Sequence, residues 1–175
     1  MPDKAFFLDR DGTINKDTGY VMSPEKVELL EGAGEAIHKM NMAGYLVIVI
    51  SNQSGVARGM GTEEDVKRVN KQIQKLLESY DAKIDAFYFC PHHKKGIIKK
   101  YAIDCGCRKP KLGMFEQAIA DYQLKPQKCI AAGDKKRDIE NLHQLGVTEC
   151  GIVESKNSGE YRSLLEYTNK VLETN

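Results

Sequence analysis

The run Tyr45-Leu46-Val47-Ile48-Val49-Ile50 is apolar throughout and of strand length. A strand with no apolar/polar alternation has to be covered on both faces, as the strands of parallel sheets are. Phe6-Phe7-Leu8 reads as the end of a similar buried strand, and between the two lies Ala33 to Ala43, with Ile37 and Met40 at i, i+3 and Gly44 placed as a helix stop. Ile14 to Pro24 is rich in turn residues and reads as a loop or small hairpin. Thr62-Glu63-Glu64-Asp65 resembles a capping box with Asp in the Glu/Gln position, and it opens the longest expected helix, to about Tyr80. Val66, Val69, Ile73, Leu76 and Leu77 form its apolar stripe. Further on, a strand is expected over Ile84 to Phe89, a long loop over Cys90 to Cys107 and a helix over Leu112 to Tyr122. A strand over Cys129 to Ala132 then ends at Gly133-Asp134, and a helix over Arg137 to Leu145 is stopped by Gly146. The chain closes with a strand around Gly151 to Val153, a polar stretch from Glu154 to Glu160 and a helix near Tyr161 to Leu172, expected to serve packing. This alternation predicts an α/β fold, a doubly wound parallel sheet with helices on both faces. With 175 residues, 41% of them hydrophobic, the chain suffices for one core, so a single domain over residues 1–175 is expected.

The polar residues gather at the ends of the expected strands. Asp9 and Asp11 follow the first strand at i, i+2, ahead of Gly12 and Thr13, a spacing that places both carboxylates on one face of a regular strand. Ligands bind at the carboxyl edge of open α/β sheets, although aspartates before a glycine also serve simply as turn formers. Ser51 and Asn52, Arg108 and Lys109, and Asp134 stand at or beyond the other strand ends. Together these groups suit phosphoryl transfer, which depends on positioning and charge stabilisation. Asp9 is the candidate nucleophile, forming an aspartyl-phosphate. Asp11 is the candidate acid/base. Asp9, Asp134 and the backbone carbonyl of Asp11 supply the hard oxygens that magnesium takes, and the Ser51 hydroxyl and Lys109 ammonium face the remaining phosphoryl oxygens.

Five cysteines with no visible export signal argue for metal or buried-thiol roles rather than a disulfide framework. Cys90, His92, Cys105 and Cys107 form C-x-H-x12-C-x-C, three thiolates and one imidazole suited to a closed structural zinc site. His93 competes with His92, which is preferred because its spacing from Cys90 mirrors that of Cys105 and Cys107. Cys129 and Cys150 sit in apolar contexts and read as small buried residues. Lys94, Lys95, Lys99, Lys100, Arg108, Lys109 and Lys111 crowd around this loop with Asp104 as the only acid among them. Such a field attracts a substrate with a second phosphate, or is simply a solvated basic loop. A guanidinium at Arg108 can grip phosphate bidentately. The net charge of +1 gives no strong pull toward nucleic acid or a membrane surface. No apolar run approaches the roughly 18 residues of a membrane span, and the polar start Met1-Pro2-Asp3-Lys4 shows no targeting segment. A cytoplasmic monomer is expected.

Asp9-Arg10-Asp11-Gly12-Thr13, Ser51 after an apolar strand, Lys109, and Gly133-Asp134-Lys135-Lys136-Arg137-Asp138 resemble the four ordered motifs of the haloacid dehalogenase (HAD) superfamily of phosphatases. The resemblance implies Asp9 as nucleophile, Asp11 as acid/base, Ser51 and Lys109 as phosphoryl stabilisers, and Asp9, Asp11 and Asp134 as the magnesium site. It also implies a Rossmann-like sheet without a separate cap domain, since Thr13 to Ser51 is filled by one loop, one helix and one strand. Zinc loops of this kind in the superfamily mark the histidinol-phosphate phosphatases and the D-glycero-D-manno-heptose 1,7-bisphosphate 7-phosphatases. Gly19-Tyr20-Val21, Ser51 to Gly59 (SNQSGVARG), Cys90 to His93 (CPHH) and Cys107 to Met114 (CRKPKLGM) are more similar to the second family, although Lys94 stands where a proline is common. That likeness implies a small phosphorylated sugar as substrate. Its expected contacts are Asp17, Thr18, Gly19 and Tyr20, then Ser51, Asn52, Gln53 and Ser54, with Arg108, Lys109 and Lys135. Hydrolysis of histidinol phosphate, a DNA 3′-phosphate or another small phosphomonoester is the alternative activity. A zinc-stabilised phosphometabolite-binding protein is the non-enzymatic one, and the presence of both Asp9 and Asp11 argues against it.

Overall fold

A computed structural model describes residues 1–153 and 160–174. Among them β1 (Ala5–Leu8), β2 (Leu46–Asn52), β3 (Ala86–Cys90), β4 (Ile130–Gly133) and β5 (Glu149–Ile152) form a parallel sheet in the order β3-β2-β1-β4-β5. The chain runs outward from β1 through β2 to β3, then returns across the sheet to β4 on the other side of β1. The order therefore reverses beside β1, and an open parallel sheet has its binding crevice at such a reversal.

Alternation along the strands divides the core. Phe6, Leu8, Val47 and Val49 face one layer, built from α1 (Ala33–Met42), α2 (Glu63–Leu77) and α4 (Leu164–Thr174). Ala5, Phe7, Ile48 and Ile50 face the other, where α3 (Gly113–Tyr122) contributes Met114, Phe115 and Ala118. Helices on both faces follow from the right-handed crossovers that parallel strands require, so the doubly wound α/β expectation holds. Between β1 and β2 the described residues form a loop with one 3₁₀ turn, followed by α1, and no cap domain intervenes.

The capping box at Thr62 forms as expected. The Asp65 N–H donates to Thr62 Oγ1 (3.2 Å), and the Thr62 N–H donates to Asp65 Oδ2 (2.8 Å). The α-helix stops at Leu77, and a 3₁₀ turn, Glu78–Tyr80, completes the stretch expected as one helix. Leu76 is only half-buried. The helix expected over Arg137 to Leu145 is instead two 3₁₀ turns, Lys136–Asp138 and Leu142–Leu145. Asp138 is drawn inward to the Lys109 ammonium and to the Lys135 N–H, and Asn141 donates to the Pro110 carbonyl, so local side chains compete with the helical ladder. β2 and β3 each run further toward the carboxyl edge than expected, taking in Ser51, Asn52 and Cys90. Of the polar stretch expected over 154–160, all but Glu160 lies outside the described residues.

Candidate active site

β1 ends at Leu8, so Asp9 and Asp11 stand on the turn beyond it rather than on a regular strand face. The Thr13 and Ile14 N–H groups both donate to the Arg10 carbonyl and close that turn. Gly12, at φ +86°, carries it past Asp134; a Cβ there would overlap the Asp134 carboxylate, so only glycine fits.

Lys109 lies at the centre. Its ammonium, only 2% of the residue being exposed, meets Asp9 Oδ1 at 3.0 Å and Asp138 Oδ1 at 2.8 Å and donates to the Ile50 carbonyl at 2.6 Å. Burial alone would depress its pKa, but the two carboxylates outweigh burial and hold it above the usual lysine value. The backbone of Lys109 is clasped by Asn52, which accepts from its N–H (2.9 Å) and donates to its carbonyl (3.1 Å). Ser51, on β2, accepts from the Gln53 amide at 2.6 Å and is as buried as Lys109.

Asp9, Asp134 and Asp138 converge closely enough for one oxygen from each to meet a single cation. Asp134 Oδ1 is buried and has no hydrogen-bond partner, as expected of a ligand oxygen. Burial first, and the Asp9 charge second, push the Asp134 pKa up to about 8. The donor set therefore fits a hard divalent cation. The carboxylate of Asp11 is not part of it. Asp11 instead accepts from Arg10, Asn15 and Gln53, which leaves its backbone carbonyl as the group it could offer a metal.

These residues open onto a cavity of about 510 Å³ lined by Asp9, Asp11, Asp17, Gly19, Tyr20, Asn52, Gln53 and Ser54, with Arg108 and Lys135. Most of the positions expected to contact substrate are thus brought together. Thr18 is turned outward, into a groove with Glu25 and Lys26, and Ser51 and Lys109, both almost fully buried, are not among the residues that line the cavity. Arg58, His93 and Arg137 complete the lining without having been assigned to it from the sequence. Arg58 and Arg137 stand inside motifs already recognised, and Asp138 follows Asp134 at i, i+4, a spacing that could have drawn attention to it. Arg58 Nε, Arg108 Nη1 and Arg137 Nε are all buried without a hydrogen-bond partner. Burial, followed by the neighbouring charges of Arg137 and Arg58, lowers the pKa of Arg108. A cavity of similar size behind Gly12 and Thr13, with Leu30, Val153, Leu164 and Leu165 in its wall and Glu31 as its one carboxylate, has no such set of groups.

The Cys90, His92, Cys105 and Cys107 cluster closes around one point. The Sγ–Sγ separations are 3.0, 3.4 and 3.5 Å, and His92 Nδ1 lies 3.4 and 3.5 Å from Cys107 and Cys90. Tetrahedral zinc with Zn–S near about 2.3 Å has edges only slightly longer, so three thiolates and an imidazole fit it. Burial opposes ionisation throughout, pushing Cys90 well up, yet the Arg108 N–H and the neighbouring thiols hold Cys105 down at about 6. His93 points elsewhere, into the cavity beside Arg58.

A central strand that delivers a carboxylate beside a buried lysine and a three-carboxylate cluster defines a phosphomonoester hydrolase of the HAD class, and solved structures agree. A HAD-like phosphatase from Mesorhizobium loti matches with TM-score 0.83 at 31% identity, over 95% of this chain and 86% of that one. D,D-heptose 1,7-bisphosphate phosphatase from B. bronchiseptica, complexed with magnesium and phosphate, matches with TM-score 0.80 at 25% identity over 98% and 99%. In sequence, D-glycero-beta-D-manno-heptose-1,7-bisphosphate 7-phosphatase of Haemophilus ducreyi is 40% identical over 148 residues, 84% of this chain and 81% of that protein. D-glycero-alpha-D-manno-heptose-1,7-bisphosphate 7-phosphatase of Burkholderia mallei is 39% identical over 147 residues, 84% and 78% of the two chains. The chain belongs to the Polynucleotide kinase 3 phosphatase family, whose profile matches residues 4–158, and within it resembles the heptose 1,7-bisphosphate 7-phosphatases. No helix among the described residues is long and apolar enough to cross a membrane.

Proposed function

We propose that this phosphatase removes the 7-phosphate of a D-glycero-D-manno-heptose 1,7-bisphosphate, with magnesium bound, through an aspartyl-phosphate intermediate. The observation that carries the bisphosphate reading is the set of three arginines lining one cavity, each with a buried guanidinium nitrogen that lacks a partner. Their mutual repulsion is relieved by an anion, and a second phosphate is the anion that the names of the relatives supply.

In this reading an Asp9 oxygen attacks phosphorus, the bond to the sugar oxygen breaks, and Asp11 protonates the departing oxygen. Water then attacks the phosphoaspartate, Asp11 takes its proton, and inorganic phosphate leaves with Asp9 restored. Lys109 and Ser51 neutralise and hold the phosphoryl oxygens. Arg58, Arg108 and Arg137 hold the distal phosphate; Asp17, Gly19, Tyr20, Ser54 and Lys135 border the sugar. Magnesium, held by Asp9, Asp134 and the Asp11 carbonyl with Asp138 adjacent, would offset phosphoryl charge. Zinc would brace the loop that carries Arg108 and Lys109.

The test is a comparison of kcat/KM for both heptose 1,7-bisphosphate anomers, the heptose 7-monophosphate, histidinol phosphate and a 3′-phosphorylated oligonucleotide. A preference of about 10- to 100-fold for bisphosphate over monophosphate is expected, as for one or two charge-assisted hydrogen bonds. Arg58→Met and Arg137→Met should erase that preference while sparing the monophosphate. Equal use of the two sugars, or preference for the oligonucleotide, removes the bisphosphate reading.

Magnesium affinity should depend on pH. A metal ligand must be deprotonated, and the raised Asp134 pKa lets protons compete up to about pH 8. Titration calorimetry should therefore find tighter binding as pH rises from 6 to 8, by up to about tenfold per unit, and little change above. Affinity independent of pH across that window contradicts the assignment of Asp134.

A further inference from the structure

We infer that Arg10, the residue between the two aspartates, is a positioning residue that acts through Asp11. The inference rests on the reading of Asp11 as the acid/base but not on the identity of the sugar. Arg10 is the largest fully buried side chain in the described structure, at 0% exposure. A guanidinium is rarely withdrawn from water to that degree without a dedicated set of acceptors. Here Nε donates to Asp11 Oδ1 at 3.2 Å and Nη2 to Asp11 Oδ2 at 3.1 Å, a two-pronged grip on the carboxylate. Nη2 also reaches the Gln53 Oε1 (3.1 Å) and the Val21 carbonyl (3.3 Å), and Nη1 donates to Asn70 Oδ1 at 3.0 Å.

The partners show what the grip accomplishes. Gln53 passes it on, its amide donating to Asp11 Oδ2 at 2.8 Å and to Ser51 Oγ at 2.6 Å. Asn15 fixes the other oxygen, donating to Asp11 Oδ1 at 2.9 Å. Asn70 is a buried residue of α2 that is not part of the cavity lining, and it anchors the far end of the guanidinium to the body of the fold. Val21 follows directly on Tyr20, which lines the cavity with Asp17 and Gly19. One buried cation thus fixes the orientation of the proton-transfer carboxylate, and Gln53 shares it with the phosphoryl-facing hydroxyl. A lysine could keep the charge but not the fork, so the position calls for arginine in particular.

The experiment compares two classes of leaving group. An alkyl phosphate needs its departing oxygen protonated, whereas p-nitrophenolate leaves without help. Because kcat/KM covers the steps up to phosphoenzyme formation, Arg10→Lys should lower it by about 10²-fold for the alkyl ester, the scale of positioned acid catalysis, and by less than about threefold for p-nitrophenyl phosphate. In the Asp11→Asn background, Arg10→Lys should add nothing to the alkyl-ester loss, since its effect passes through Asp11. Asn70→Ala, which loosens the anchor without touching the cavity, should give a smaller loss with the same leaving-group bias, and it serves if Arg10→Lys does not fold. Equal losses for both esters, or losses that multiply with Asp11→Asn, make Arg10 a merely structural residue and overturn the proposal. Failure of the heptose reading would show instead in the wild-type substrate panel, which leaves this comparison intact.

Discussion

Asp9→Asn is expected to lower turnover by more than about 10⁴-fold, the scale on which removing a covalent nucleophile is felt, while the protein remains folded. The carboxamide cannot make the acyl phosphate. The surroundings tolerate the change because Lys109 keeps Asp138 at 2.8 Å and the Ile50 carbonyl at 2.6 Å. One charge is lost from a site where Asp9 itself raises the Asp134 pKa, so lost pairing and relieved repulsion oppose each other. The stability change should stay within about 2 kcal/mol, well under the cost of stranding a buried charge outright. Phosphate release and a thermal melt monitored by circular dichroism measure both quantities. Turnover near that of the wild type would rule out the covalent route.

Cys107→Ser should have the largest effect on stability. Cys107 touches three other members of the cluster at 3.0 to 3.4 Å, and losing a structural metal ligand is among the few changes that cost several kcal/mol. About 3 kcal/mol corresponds to a melting temperature lower by about 6–12 °C for a chain of this size. Activity should fall with it, because Cys105 accepts the Arg108 N–H and so connects the cluster directly to the cavity. Zinc content by mass spectrometry, a melting curve and kcat/KM, each compared with Cys150→Ser outside the cluster, provide the check. An unchanged metal content in Cys107→Ser would remove the zinc assignment.

The residues that were legible in the sequence carry their role in their type and spacing. Cys90 and His92 with Cys105 and Cys107, and the apolar run at Leu46 to Ile50, each announce a chemistry or an environment that few other patterns share, whereas Asp9 and Asp11 before a glycine become specific only together with Ser51, Lys109 and Asp134 further along the chain. What escaped depends on contacts between distant segments. Arg10 carries no role of its own in the sequence pattern, because its partners Gln53 and Asn70 come from other elements, and Arg58 and Arg137 belong to the cavity only once β2 and β4 are placed around β1. The Arg137 to Leu145 segment has helical composition, but the attraction of Asp138 to Lys109 outweighs local propensity and tightens it into 3₁₀ turns. Thr18 was assigned with its neighbours, and a single loop residue's direction is not encoded in such a run.

The Lys109 ammonium is satisfied by Asp9, made long before it, and by Asp138, made after it. During synthesis there is an interval, on the order of seconds at roughly 5–20 residues per second, in which the lysine exists and its second carboxylate does not. β4 (Ile130–Gly133), which pairs with β1, is itself made only late in that interval. The full set of partners around Lys109 therefore exists only once the chain has passed residue 138 and β4 lies beside β1.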